Sequence, residues 1–294
     1  MFAPYMTTEQ GTISQQTADV FELRSLLNQA MGSRPVPNGV RRSTGRLGGI
    51  DVLDITIEGI EPRGTLLWFH GGGFAAGTPE ITIGKAAATA RAAKLRVRSV
   101  DYRLAPEHPF PAAPRDALAA YRAVLEEVPA EELLIGGESS GGNLALGLAI
   151  AARDAGLPLP RGVLLYSPTT DLARTGASHR TRVAVDDALT PAMLETLFGA
   201  YADDLALDDP RLSPVHAELR GLPPLLVAVG THELLLDDAL ELVSRAAAAD
   251  VDVDLVVGAG MPHVFPGRGP EIPRAVEALD TIAAFVRRRL GPEL

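Results

Sequence analysis

From about residue 50 onward, short β-rich runs alternate with alanine-rich helical stretches, and this alternation limits the fold more than any other feature of the chain. The β-rich runs cover 51–57, 65–69, 95–100, 133–135, 163–166, 225–229 and 253–257. The helical stretches lie near 83–94, 113–127, 141–154, 234–249 and 271–289. Strands that alternate with helices pair in parallel, because each crossover helix carries the chain back across one face of the sheet. The sequence therefore predicts an α/β fold with a mostly parallel central sheet covered on both faces. At 294 residues the chain is long enough to bury a large core.

Two segments break the rhythm. Residues 17–31 read as an amphipathic helix, with Val20, Leu23, Leu26, Leu27 and Met31 at helical spacing, and the glycine and prolines after them must end it. Residues 172–212 carry a helical stretch near 191–201 among polar, acidic turns. Together they suggest a cap, with residues 1–45 as its N-terminal segment, 46–294 as the main domain and 172–212 as an insertion. Open α/β sheets carry their working site beyond the carboxyl ends of the strands, where such a cap would lie.

At one of those strand ends stands Gly137-Glu138-Ser139-Ser140-Gly141, between the run at 133–135 and the helix at 141–154. A G-x-S-x-G turn between strand and helix forces the serine into a sharp bend with its hydroxyl exposed, which is the setting of a nucleophile elbow. A serine nucleophile needs a base, and the base needs an orienting acid. Of six histidines, His263 follows the last strand and precedes the last helix, at the working edge and late in the chain. A surface-loop histidine would look the same in isolation. The acid should follow the preceding strand. There Glu233 stands where loop becomes helix, with Asp237 and Asp238 about one turn further on. Glu233 is the better placed and Asp237 reads as a loop brace, although all three carboxylates also suit a helix N-terminus.

Acyl transfer needs donors aimed at the developing oxyanion. His70-Gly71-Gly72-Gly73-Phe74 follows the strand at 65–69, and consecutive glycines let backbone N–H groups face a site unobstructed. The N–H of Ser140, next to the candidate nucleophile, supplies another donor. A phosphate cradle is the competing reading of a glycine run. Neither G-x-G-x-x-G nor a glycine-lysine-serine/threonine ending is present here.

These motifs, with Tyr102-Arg103-Leu104-Ala105-Pro106-Glu107-His108-Pro109-Phe110-Pro111-Ala112 and Gly260-Met261-Pro262-His263, resemble the hormone-sensitive-lipase-like esterases from about residue 45 to the C-terminus. Those are the bacterial family IV carboxylesterases of the α/β-hydrolase fold. The resemblance implies a Ser139 nucleophile, a His263 base, an oxyanion hole from Gly72, Gly73 and Ser140, and a cap over them. It also allows a homodimer. Two departures stand out: Glu138 and Ser140 flank the serine where aspartate or threonine and then alanine are commoner, and the acid is glutamate where many members carry aspartate. The segment 102–112 reads as framework supporting the glycine loop, with Arg103 and Glu107 able to brace each other.

The sequence thus predicts a serine carboxylesterase that cleaves short-to-medium acyl esters and needs no metal or organic cofactor. An amidase, formamidase or lactonase with the same triad is the nearest alternative. A non-catalytic ligand receptor is another, but such a protein would be expected to lose a triad member. A formal charge of -10 argues against nucleic acid as the main partner, and no apolar run is long enough for stable membrane insertion. No secretory signal is visible in residues 1–20 and no cysteine occurs anywhere, which fits a cytoplasmic enzyme.

Overall fold

The computed structural model describes residues 19–33, 36–269 and 271–291. In chain order the main elements are α1 (Val20–Gly32), β1 (Val40–Leu47), β2 (Ile50–Ile57), β3 (Thr65–Phe69), α2 (Ile83–Ala93), β4 (Arg96–Val100), α3 (Ala112–Glu127), β5 (Leu133–Glu138), α4 (Ser140–Asp154), β6 (Val163–Tyr166), α5 (Ser178–Thr181), α6 (Pro191–Ala202), β7 (Leu225–His232), α7 (Leu236–Ala248), β8 (Val253–Pro262) and α8 (Pro273–Leu290).

The strands form one eight-stranded sheet in the order β1-β2-β4-β3-β5-β6-β7-β8. Pairing is parallel from β4 to β8, and β1 and β2 join antiparallel. Period-two alternation sends Leu67, Phe69, Ile135, Leu165 and Val227 to one core. Leu66, Trp68, Leu134, Leu164 and Leu226 go to the other. Helices α3, α4 and α7 bury their apolar residues in the first core, and α2 and α8 do so in the second. Strand β3 is buried along its whole length, as a central parallel strand covered on both faces must be.

The structure departs from the sequence-based expectation most clearly at β1, at the ends of β5, β7 and β8, and at the N-terminal helix. Strand β1 was not expected, and the boundary drawn after residue 45 falls inside it. Its sequence, Val-Arg-Arg-Ser-Thr-Gly-Arg-Leu, is mostly exposed and polar, as suits a sheet edge, so it carries little hydrophobic alternation. Strands β7 and β8 run on past residues 229 and 257 through Gly230 and Gly258, which remain paired before a register shift. Glycine has low strand propensity, so both runs look shorter in sequence. The N-terminal helix runs from Val20 to Gly32, with Asp19 Oδ1 accepting the N–H of Phe21 as its cap. Residues 17 and 18 of the expected helix lie outside the described residues.

Candidate active site

Ser139 stands between β5 and α4 with φ 53° and ψ −122°, a strained conformation for a non-glycine residue. The bend is held by the Ser139 N–H donating to Tyr166 O at 2.9 Å. Thr169 N in turn donates to Ser139 O at 3.1 Å. Room for it comes from Gly141, where a Cβ would sit 2.0 Å from Phe69 O. Ser140 opens α4, so its N–H is among those the helix itself leaves unpaired.

His263 follows β8 directly, and its Nδ1–H donates to Glu233 Oε2 at 2.7 Å. This tautomer leaves Nε2 as the ring's acceptor. Glu233 is fully buried just beyond β7, and its Oε1 accepts the N–H of Gly230 at 2.6 Å and the hydroxyl of Ser167 at 2.8 Å. Three donors on one buried carboxylate keep it oriented and satisfied. Ser167 Oγ also accepts the N–H of Val264, tying together the loops that carry acid and base. Asp237 faces elsewhere: its Oδ2 accepts the N–H of Ser178 at 2.8 Å, bracing α5.

The glycine loop leaves β3 at His70. Gly72 has φ +127°, and a Cβ there would sit 2.1 Å from Ala76 O, so no side chain fits. Gly71, Gly72, Gly73, Ser139 and His263 all line one cleft of about 760 Å³ including its open mouth. Leu27, Ala30 and Met31 of α1 wall it on one side, and Met193, Leu194, Leu197 and Phe198 of α6 on another. Glu233 lies behind His263 and is not part of the cleft wall.

Several residues at the site were given no role in the sequence reading, where Glu138 stood out only as a departure from the commoner elbow. Lys85 and Glu138 line the cleft as an ion pair 2.8 Å apart, and Arg268 lines it while pairing with Asp187 at 3.2 Å. Asp186 accepts the N–H of Leu234, next to Glu233. Burial pushes its carboxyl up, and the nearby His263 charge draws it partly back. Lys85 and Glu138 lie 53 residues apart along the chain, Asp186 and Leu234 48, and Arg268 and Asp187 81, and no short motif encodes such pairs.

One framework reading needs correction. Arg103 and Glu107 do not brace each other: Arg103 grips Asp116 of α3 at 2.7 Å, and Glu107 takes Arg24 of α1 at 2.6 Å. The arginines reach past their sequence neighbours to better-buried or bidentate partners. The segment does support the glycine loop, through Ala105 N to Phe74 O and Tyr102 OH to His70 O. His179 is buried with Nε2 2.7 Å from Asp238 Oδ1. Among the described residues, no group of three or more histidine, aspartate or glutamate side chains could hold a metal ion.

A sequence profile described as alpha/beta hydrolase fold matches residues 66–267. An acetyl-hydrolase from Streptomyces hygroscopicus is 39% identical over 277 residues, 90% of this chain and 88% of that protein. An esterase from Acinetobacter venetianus is 34% identical, covering 90% and 87%. Among solved structures, an esterase from the bacterial hormone-sensitive lipase family is 36% identical with a TM-score of 0.89, covering 93% of both chains. A hormone-sensitive lipase from a metagenome library is 32% identical with a TM-score of 0.89, covering 96% and 94%.

Proposed function

The chain belongs to the bacterial hormone-sensitive-lipase group of the α/β-hydrolase-fold family and is a serine carboxylesterase, and from that premise we propose that Ser139, His263 and Glu233 form its triad. The observation that carries this reading is the 2.7 Å contact of His263 with the buried Glu233, beside a cleft that His263 shares with the strained Ser139. Ser139 Oγ attacks the ester carbonyl as His263 Nε2 takes its proton. The N–H groups of Gly72, Gly73 and Ser140 receive the oxyanion. Collapse of the intermediate breaks the bond to the alcohol, which leaves with the proton from His263. Water then adds to the acyl-enzyme by the same route and frees the acid.

Apolar walls from α1 and α6 support short-to-medium acyl esters as substrates, with these helices acting as the cap. Relatives named as esterases do not favour the amide or lactone alternatives. Ser139→Ala should abolish hydrolysis of p-nitrophenyl butyrate, and retained turnover would overturn the assignment. An acyl series from acetate to palmitate should fall off steeply beyond medium length.

The same reading includes a homodimer and a cytoplasmic location. Strand β8 is a sheet edge with Leu255 and Val257 exposed, a surface suited to pairing with a second copy. Light scattering tests the dimer, and cell fractionation tests the location. Among the described residues no helix is long and apolar enough to cross a membrane.

A further inference from the structure

We propose that Lys85 is a positioning residue for ester hydrolysis. By neutralising the buried Glu138 carboxylate, it fixes the Gly71 peptide and so aims the Gly72 and Gly73 N–H groups at the oxyanion. The proposal rests on the assignment of Ser139 and the oxyanion donors above.

Glu138 is fully buried and immediately precedes Ser139. Its Oε1 accepts the Lys85 ammonium at 2.8 Å and the Gly71 N–H at 3.3 Å, while Oε2 has no partner among the described residues. On its other side Gly71 is also held, because His70 Nδ1–H donates to Gly71 O at 2.8 Å. The downstream end of the loop is tied separately, by Ala75 N and Ala76 N donating to Gly72 O. The Gly71 peptide just ahead of Gly72 is therefore held by Glu138 and His70, and the turn through Gly73 is closed on Gly72 O.

The charge of Glu138 matters as much as its position. A bare carboxylate buried beside Ser139 would oppose the negative charge that develops on the substrate oxygen, and because Glu138 is shielded from solvent the opposition is poorly screened. Lys85 cancels it. The lysine reaches in from α2 along a path that a side chain at 267 would obstruct: a Cβ on Gly267 would lie 2.6 Å from Lys85 Cγ. Lysine is also rare here, with Lys85 and Lys94 the two lysines among 27 basic residues.

The test compares Lys85→Met, Lys85→Arg, Glu138→Gln and the double variant Lys85→Met/Glu138→Gln on p-nitrophenyl butyrate. A trifluoromethyl ketone that forms a hemiketal oxyanion with the serine serves as a second probe. Lys85→Met should lower kcat roughly 10–100-fold with KM within about threefold, and weaken the ketone by a similar factor, since only the oxyanion-bearing state is affected. Lys85→Arg keeps the charge and should stay within about fivefold of the parent. The double variant should recover most of the lost kcat, because the glutamine oxygen still accepts from Gly71 and no unpaired charge remains. A mere packing role for Lys85 would leave the double variant as impaired as Lys85→Met, and that result overturns the proposal. So does a Lys85→Met enzyme whose kcat and ketone affinity stay within about twofold of the parent. Should Lys85→Met fail to fold, Glu138→Gln and the double variant decide: kcat values within about threefold support the proposal, and a larger gap overturns it. Activity surviving in Ser139→Ala would sink the underlying assignment instead, whereas an inactive Ser139→Ala with a silent Lys85→Met sinks this proposal alone.

Discussion

Glu233 and Asp237 are four residues apart and chemically similar, yet the structure gives them unrelated partners. Glu233 takes the His263 ring, and Asp237 takes the Ser178 N–H. Glu233→Ala should therefore cost roughly 10³–10⁴ in kcat, by releasing the histidine tautomer and orientation. Asp237→Ala should cost about 1 kcal/mol of stability and little rate. Steady-state kinetics and urea unfolding on the pair decide it, and a larger kcat loss at Asp237 would reverse the assignment. Ser167 is the less visible partner. Ser167→Ala removes one donor to Glu233 and the acceptor for Val264 N, and should lower kcat roughly tenfold, the equivalent of about 1.4 kcal/mol of lost orientation. Ser139, Glu233 and His263 were legible as candidates because each sits at the end of a recognisable strand. Ser167 also ends a strand, β6, but a lone serine there has no motif around it, and its role appears only once β6, β7 and β8 lie side by side.

Elements were easiest to read where two independent signals agreed. Strands β3 and β6 match the sequence expectation in full, because dense apolar runs are bounded by turn residues. Helix α6 was legible from Pro191, and Thr190 caps it through Oγ1 to the N–H of Met193. What composition could not reveal is how α1 is fastened. Arg24 donates from Nε to Ala75 O at 2.5 Å and from Nη2 to Ala105 O at 2.6 Å, while both oxygens of Glu107 accept from its guanidinium. Gly77 N donates to Asn28 Oδ1 at 2.8 Å, a second tie to the segment following the glycine loop. Arg24 pulls the Glu107 carboxyl down to about 2, mainly by this hydrogen bonding. An amphipathic stripe shows which face of a helix is buried, but the latch depends on three separate chain segments meeting. Arg24→Ala should loosen α1, cost about 1–2 kcal/mol in stability and raise KM more than it lowers kcat. Hydrogen exchange over residues 20–32 should quicken selectively. Unchanged exchange there would show that apolar packing alone holds the helix.

For the whole molecule, the sheet gathers the loops after β3, β5, β7 and β8 at one edge, and ionisable groups are buried beneath them. His70 is among these: it has no exposed surface, stacks on Tyr102 with ring centroids 4.3 Å apart, and donates from Nδ1 to Gly71 O. Burial pushes its imidazole down to about 4, and the Lys85 charge pushes the same way. An unfolded chain protonates a histidine near 6.5, so between roughly pH 6.5 and 4 the unfolded state holds a proton that the folded state refuses. Stability must then fall as pH drops through that window, by up to about 3 kcal/mol from this group. Asp186 and Asp238, whose carboxyls burial pushes up, act with the opposite sign: their contribution is present at low pH and fades as pH rises. His70→Asn separates these effects, because it keeps a side-chain N–H near Gly71 O but cannot take the proton. Urea unfolding at intervals from pH 7.5 to 4.5 should give the parent a steeper loss than His70→Asn, even though the variant begins less stable at pH 7.5. Parallel curves would mean that His70 takes up its proton at the same pH in the folded protein as in the unfolded chain, and that other groups set the acid lability.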